Sequence, residues 1–457
     1  MKNMTLTAVA KAINGKAYNI EGAENIDPKG VVIDSRQVEK DFIFIAVKGE
    51  RVDGHSFIDD VYSKGALAVI SEQELKDEKR PYILVDSTLS ALKSLAQYYR
   101  NTLDIKLIGI TGSVGKTSTK EFIASVLSEK YNVLKTEGNF NNEIGLPLTI
   151  LKIREEHQIA VIEMGISHFG DMRPLGIIAK PDICVITNIG DCHLENLIDR
   201  EGVLKEKSSM FDYANNNASY VLNGDDDMLI TLQDVNGKQP VFVSTKDKNV
   251  AIHLLEILNS HIDGTDCNIN VCGNNLSLHI PLPGKHMILN ALTACAVGNL
   301  CNVSLEQMKA GIEKIEPVSG RVNVIREKGY TIIDDCYNAN PVSMKASIDV
   351  LSYAEGRKVA VLGDMYELGQ DEVLLHGSVG EHISKYNIDV LITIGEISKN
   401  IGLYAEKSGF KGQIIHCDNM DSFVNVYSAY INKGDTVLVK ASHGMHLEKV
   451  INLLTNK

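Results

Sequence analysis

The chain has no tryptophan, no Cys-x-x-Cys pair, no stripe of basic residues and no apolar run long enough to cross a membrane. The missing tryptophan decides nothing, but the other absences exclude whole classes of function. The eight cysteines are scattered. Cys267 and Cys272 come nearest to a pair and have no histidine cluster beside them. This speaks against a zinc site or a disulfide framework and for free thiols in a reducing cytoplasm. A net charge of −13 without clustered Lys or Arg speaks against nucleic acid as the main partner. The apolar stretch from Thr5 to Ala10 is broken by Lys11, so neither a signal peptide nor membrane insertion is expected, and a cytoplasmic location follows. There is no low-complexity segment, no short-period repeat and no Gly-x-Gly-x-x-Gly fingerprint. What remains is an acidic globular chain of 457 residues, 44% hydrophobic and 23% charged, long enough for about two to four domains.

The most informative stretch is Gly109 to Thr117, Gly-Ile-Thr-Gly-Ser-Val-Gly-Lys-Thr. It follows a strand-like Lys106-Leu107-Ile108. It leads into a helix whose residues Ile123, Val126 and Leu127 share one face. Strand, glycine-rich turn and helix start, in that order, form a phosphate cradle. Gly112 and Gly115 let the N–H groups of Ser113, Val114 and their neighbours through Ser118 close around an anion, and the helix N-terminus adds its positive dipole end. Lys116 is placed to reach the terminal phosphates and the Thr117 hydroxyl to hold Mg²⁺. ATP, or another nucleoside triphosphate, is the expected ligand. One position departs from the general pattern: Ile110 stands where a glycine is usual.

Apolar runs and turn signals divide the chain into blocks at 1–102, 103–318 and 319–457. The first has short strands around residues 31–33, 42–47 and 68–70 and a helix over 89–99. In the second, 159–162 and 183–186 read as buried parallel strands ending in polar residues, where open α/β sheets bind ligands. Residues 240–282 alternate as antiparallel strands do. The third repeats a strand–helix rhythm, with strands over 330–333, 359–362, 390–394 and 436–439, which predicts a doubly wound, largely parallel sheet. The fold class is α/β.

Candidate chemistry sits at the strand ends. Glu163 directly follows an apolar strand, where an acid would hold Mg²⁺ beside the phosphate loop; it reads equally as a surface acid. His193 follows the next strand and by itself does not read as a metal ligand. Lys205 and Lys207 look like a solvated helix face from charge alone. Asn139, Asn141 and Asn142 suit either ligand hydrogen bonds or caps and Asx-turns. Asp335 ends the first predicted strand of the third block, and Lys440, Ser442, His443 and His446 follow its last, where they could face the same cleft.

Taken together, these segments resemble the Mur ligases, ATP-dependent amide-forming enzymes of peptidoglycan synthesis. The matching pieces are Asp34-Ser35-Arg36, Gly49 through His55, Thr111 through Thr117, Gly138 through Asn142, Glu163-Met164-Gly165, His193-Leu194-Glu195, Gly284-Lys285-His286 with Asn290, Gly320-Arg321, Asp335 through Pro341, Gly363 through Gly369 and Lys440-Ala441-Ser442. Tyr337-Asn338-Ala339-Asn340 and Gly363-Asp364-Met365-Tyr366-Glu367-Leu368-Gly369 resemble the tripeptide-accepting member; the Asp-Asn-Pro-Arg motif of the preceding ligase is absent.

The resemblance implies a UDP-sugar-binding domain over 1–102, a central ATP-binding phosphate-loop domain over 103–318 and a Rossmann-like domain over 319–457. It implies ATP and Mg²⁺ as cofactors, UDP-MurNAc-tripeptide and D-Ala-D-Ala as substrates, and a monomer. Lys116, Lys207 and His193 are then catalytic. Thr117, Glu163, His193 and a carbamylated Lys207 match metal-associated positions, with Lys205 the alternative for the last. Asn290, Arg321 and Asp335 match ATP contacts; Ser35, Arg36, Asn139 and Asn141 match substrate contacts. Near the end, Ser442-His443-Gly444-Met445-His446 stands where many relatives carry Ser-Arg-Gly-Met-Arg or Ser-Arg-Gly-Met-Lys. Any contact made there by a permanent positive charge is altered, because histidine is charged only part of the time. Another ligase of the superfamily, such as a folylpolyglutamate synthase, is the alternative enzyme. A nucleotide switch or P-loop kinase is the alternative of a different class. A catalytically dead paralogue is disfavoured by the intact phosphate loop, Glu163 and Lys207.

Overall fold

Three sheets follow one another along the chain in a computed structural model that describes residues 1–49, 51–75 and 79–455. Glu50, within the Gly49-to-His55 motif, lies outside the described residues. The first sheet holds β1 (Lys16–Tyr18), β2 (Gly30–Val32), β3 (Phe42–Ile45), β4 (Ala68–Ser71) and β5 (Tyr82–Leu84) in the order β1-β5-β4-β3-β2, with only β1 antiparallel to its neighbour. The helix Thr88–Thr102, capped by the Ser87 side chain on the Ser90 N–H, leads out of it.

The central sheet comprises β6 (Lys106–Thr111), β7 (Val133–Lys135), β8 (Ile159–Glu163), β9 (Ile183–Ile186), β10 (Ser219–Asn223), β11 (Val241–Ser244), β12 (Ile252–His261), β13 (Gly264–Val271) and β14 (Asn274–Ile280), in the order β14-β13-β12-β11-β10-β9-β6-β8-β7. Its parallel part is covered on both faces. Ile108 and Ile110 of β6 pack with Phe122 and Ile123 of the helix Lys116–Ser128 and with the helix His286–Leu300. Leu107 turns the other way, toward Tyr99, Ala160 and Ile162. Burial of both faces is why these strands read as unbroken apolar runs. The alternation over 240–282 belongs to antiparallel strands only for β12 to β14. Val241–Ser244 pairs in parallel with both of its neighbours, a direction that alternation does not encode.

The third sheet runs β15-β16-β20-β17-β18-β19, from β15 (Asn323–Glu327), β16 (Tyr330–Asp334), β17 (Lys358–Gly363), β18 (Val390–Ile394), β19 (Gln413–Cys417) and β20 (Thr436–Lys440). It is parallel except for the β15–β16 hairpin. β15, β19 and the helix Lys399–Lys407 go beyond the sequence reading, because both strands lie at sheet edges and carry mostly half-exposed residues. Among the described residues no helix is long and apolar enough to cross a membrane.

Candidate active site

Strand β6 lies between β8 and β9, with Ile110 in register with Glu163 and Thr111 with Ile186. The loop leaving β6 therefore rises between the carboxyl ends of two neighbours, where the strand order changes direction and ligands bind in open α/β sheets. Gly112, at φ 148°, closes against β9: a Cβ there would lie 1.9 Å from the Thr187 hydroxyl. Gly115, at φ 83°, caps the helix Lys116–Ser128. The loop is held from the β9 side. Asn188 accepts the Val114 N–H on its side chain and the Ser113 N–H on its carbonyl, at 2.9 and 3.0 Å, and its amide returns a hydrogen bond to Val114 O. The Thr187 hydroxyl donates to the same carbonyl at 2.6 Å. Lys116 folds back so that Nζ donates to Gly112 O at 2.8 Å.

Glu163, at the end of β8, is buried and makes no ion pair with a described residue. Its carboxylate accepts the Thr117 hydroxyl at 3.1 Å and the Asn141 amide at 2.8 Å. Of the three asparagines, Asn141 serves the site. Asn142 also lines the cleft, but its side chain caps Ile144 and Gly145, and Asn139 is exposed and outside the cleft lining. Arg321 comes from the third domain, donates to Thr117 Oγ1 at 3.3 Å and lies 3.9 Å from the Tyr337 ring centroid. Asp335 is buried beneath it. Lys440 donates to its carboxylate at 2.6 Å, and Ser347 and the Val322 N–H complete the coordination. Asn290 accepts from the Thr119 hydroxyl at 3.0 Å, locking the helix His286–Leu300 to the phosphate-loop helix.

These groups line one cleft of 430 Å³ between the central and third domains. Ser113 to Thr119, Asn141, Glu163, His193, Asn290, Arg321 and Asp335 all face it. Ser35 and Arg36 belong to the first domain: Ser35 is buried, and Arg36 is exposed and paired with Asp34. Neither lines this cleft. Of the four polar residues that follow β20, Lys440 lines the cleft whereas Ser442, His443 and His446 do not: His443 packs against Tyr337 with ring centroids 5.4 Å apart, and His446 pairs with Glu448 near the surface.

The helix Arg200–Ser208 departs from the solvated face that its charges suggest. Lys205 is exposed, whereas Glu206 and Lys207 are buried. Glu206 accepts the Met172 N–H at 2.8 Å. Lys207 is 1% exposed and makes no hydrogen bond or ion pair with a described residue. Burial, with Lys116 nearby adding to it, brings its pKa down from 10.5 to about 8. Burial also lowers His286, which lines the cleft facing Asp335 and Lys440. Sequence reasoning assigned no role to Thr187, Asn188 or His286, although His286 stands in one of the matching pieces. The two at the end of β9 were open to the same strand-end argument that singled out Glu163.

Three family profiles match the chain: the "Mur ligase family, catalytic domain" over residues 28–100, the "Mur ligase middle domain" over 110–298 and the "Mur ligase, glutamate ligase domain" over 320–443. The chain belongs to the Mur ligase family. A Bacillus subtilis relative, UDP-N-acetylmuramoyl-tripeptide--D-alanyl-D-alanine ligase, is 36% identical over 99% of this chain and 98% of its own length. Among solved structures, MurF from Acinetobacter baumannii superposes with a TM-score of 0.89 at 29% identity, covering 99% of both chains. MurF ligase from Thermotoga maritima, solved in complex with ADP, gives a TM-score of 0.81 at 30% identity over 93% of this chain and 97% of that one. The cleft of this Mur ligase combines a phosphate loop, a buried carboxylate with no ion pair among the described residues and an arginine from the facing domain.

Proposed function

We propose that this Mur ligase joins D-alanyl-D-alanine to UDP-N-acetylmuramoyl-tripeptide at the expense of ATP, completing the UDP-MurNAc-pentapeptide used for peptidoglycan. The observation that carries the reading is the Arg321–Thr117 contact, which brings the third domain onto the phosphate loop, in a chain that matches ligases of this name along its full length. We set the domain limits at 102/103 and 318/319, in keeping with sheets that fall within 16–84, 106–280 and 323–440. The location is cytoplasmic, where these substrates are made. We take the enzyme to act as a monomer.

A carboxylate is a poor acyl donor because its charge repels the attacking amine. Transfer of the ATP γ-phosphoryl group to the tripeptide's terminal carboxylate forms an acyl phosphate and releases ADP. The N–H groups of Ser113 and Val114, expected to close around the anion, are spent on Asn188, so the N–H groups at the helix start, with Lys116 and Arg321, neutralise charge on the migrating phosphoryl group. The amine of D-Ala-D-Ala then attacks the acyl carbon. The tetrahedral intermediate loses its proton, forms the amide and expels phosphate. No side-chain nucleophile is needed, so the protein's work is positioning, electrostatics and exclusion of water. Arg321, carried by the third domain, couples closure to phosphate-loop occupancy.

The residues present fit Mg²⁺. Among the described residues no three His, Cys, Asp or Glu side chains cluster as a metal site. Mg²⁺ with a nucleotide needs no such cage, since phosphates and water supply most of its ligands. The buried Glu163 carboxylate has no basic partner among the described residues and meets the Thr117 hydroxyl. Thr117, Glu163, His193 and Lys207 are the residues we assign to it. Bound there, Mg²⁺ supplies charge neutralisation for the phosphates and the acyl phosphate. Lys207 would take part as its carbamate, an anion formed from the neutral amine and CO₂. Its burial and lowered pKa support it over the exposed Lys205. We assign Asn290 and Asp335 to ATP, and Ser35, Arg36, Asn139 and Asn141 to the UDP-tripeptide.

The test is phosphate release from ATP with each substrate omitted in turn and the product mass recorded. Release that requires both substrates, with a product heavier by one dipeptide, is expected. Release without D-Ala-D-Ala, or with glutamate in its place, would move the chain to another ligase of the superfamily.

A further inference from the structure

The central and third domains touch at a second polar contact, His193 with Glu367. The His193 Nδ1 lies 2.5 Å from Glu367 Oε2, across the domain boundary and 174 residues away in sequence. Both residues hold left-handed backbone conformations, His193 at φ 54° and Glu367 at φ 62°. Neither is a glycine. Two unfavourable backbones meeting at one contact persist only where their surroundings over-determine them. Those surroundings are visible on the Glu367 side. The Asp364 carboxylate accepts the N–H groups of Glu396, Ile397 and Ser398. The Met365 N–H donates to His376 Nε2 at 2.9 Å, and the Tyr366 N–H to Ser442 Oγ at 2.8 Å. A Cβ on Gly369 would come within 3.8 Å of the Glu195 backbone, so the loop seats on the segment that follows His193. On the other side, the His193 carbonyl starts the short helix Leu194–Leu197.

We infer that Glu367 is a positioning residue for His193, delivered by the third domain when it closes. A carboxylate only accepts, so His193 must donate from Nδ1. In the neutral imidazole this leaves the lone pair on Nε2, which makes no hydrogen bond with a described residue and belongs to a side chain that lines the cleft. A metal-facing histidine is oriented in this way by a carboxylate on its far nitrogen, and loss of such a partner typically weakens metal binding about 10- to 100-fold. Here the partner arrives from another domain. The cation-binding histidine is therefore set in its working tautomer only in the closed arrangement. This rests on the assignment of His193 to the metal.

The test uses the full-length enzyme with ADP and Mn²⁺ as a paramagnetic probe, free Mn²⁺ being counted by electron paramagnetic resonance. Glu367→Ala is expected to weaken Mn²⁺ binding about 10- to 100-fold. The Mg²⁺ concentration for half-maximal activity should rise in parallel, with little change in KM for D-Ala-D-Ala. Glu367→Gln, which still accepts from Nδ1, should recover most of the loss. His193→Ala should weaken Mn²⁺ binding at least as much as Glu367→Ala. Wild-type Mn²⁺ affinity in Glu367→Ala, while His193→Ala is impaired, overturns the role of Glu367 alone. Wild-type affinity in both variants overturns the assignment of His193 as well.

Discussion

Replacing Lys207 by methionine should raise stability while removing activity. The Lys207 side chain is 1% exposed, has no partner among the described residues and has a pKa of about 8 in place of 10.5, chiefly because burial disfavours the ammonium. That shift corresponds to about 3 kcal/mol. The sign follows from proton counting. Between pH 8 and 10.5 the unfolded chain keeps a proton that the folded chain has lost, so stability rises with pH through this window. Below about pH 8 the full cost of holding a buried ammonium applies. Methionine is of similar length, unbranched and uncharged. In CO₂-free buffer at pH 7 the Lys207→Met protein should exceed wild type by up to about 3 kcal/mol. For a domain of this size, that is an upward shift of roughly 6 to 12 °C in the transition that includes the central domain. By pH 10.5 the difference should have closed. Calorimetric scans at a series of pH values measure it. A variant less stable than wild type at pH 7, or a difference that ignores pH, would refute the argument. The lowered pKa also gives roughly 150- to 300-fold more neutral amine at pH 7 to 8 than an ordinary lysine has. Ligase activity of wild type depleted of CO₂ should therefore return on adding bicarbonate, and that of Lys207→Met should not.

Three further outcomes follow from the cleft. Lys116→Ala should cut ATP turnover by about a hundred- to a thousandfold, with an unchanged circular dichroism spectrum, because the migrating phosphoryl group loses one of the cations placed to neutralise it; near-normal turnover would remove the phosphate-loop assignment. Gly112→Ala forces a Cβ onto the Thr187 hydroxyl that holds Val114 O, so calorimetric titration should show ADP affinity lowered by about tenfold or more. Lys440→Met leaves the buried Asp335 carboxylate without its cation. It should destabilise the third domain by about 3 to 5 kcal/mol in denaturant titrations.

The parts of the site visible in the sequence are those written locally. The phosphate loop is one unbroken stretch from Gly109 to Thr117, and its strand and helix context can be read within a few residues on either side. The parallel strands announce themselves because both faces are buried, as with Ile159–Glu163 and Ile183–Ile186. What stays hidden depends on tertiary packing. The burial of Lys207 cannot be read from a helix carrying charges at 205, 206 and 207, since it is set by what packs over that helix. The direction of Val241–Ser244 depends on which strand it meets. The pairing of His193 with Glu367 joins residues from two domains, and no local pattern marks it. Asn188 was legible in principle, as a polar residue just beyond a buried strand, but an asparagine there reads equally well as a cap.

The central claim is that ATP activates the tripeptide's carboxylate as an acyl phosphate. The most direct measurement uses UDP-MurNAc-tripeptide labelled with ¹⁸O in its terminal carboxylate, with mass analysis of the phosphate released during ligation to D-Ala-D-Ala. The account predicts that each released phosphate carries one oxygen from the carboxylate. Phosphate free of the label, formed together with the amide product, would contradict it.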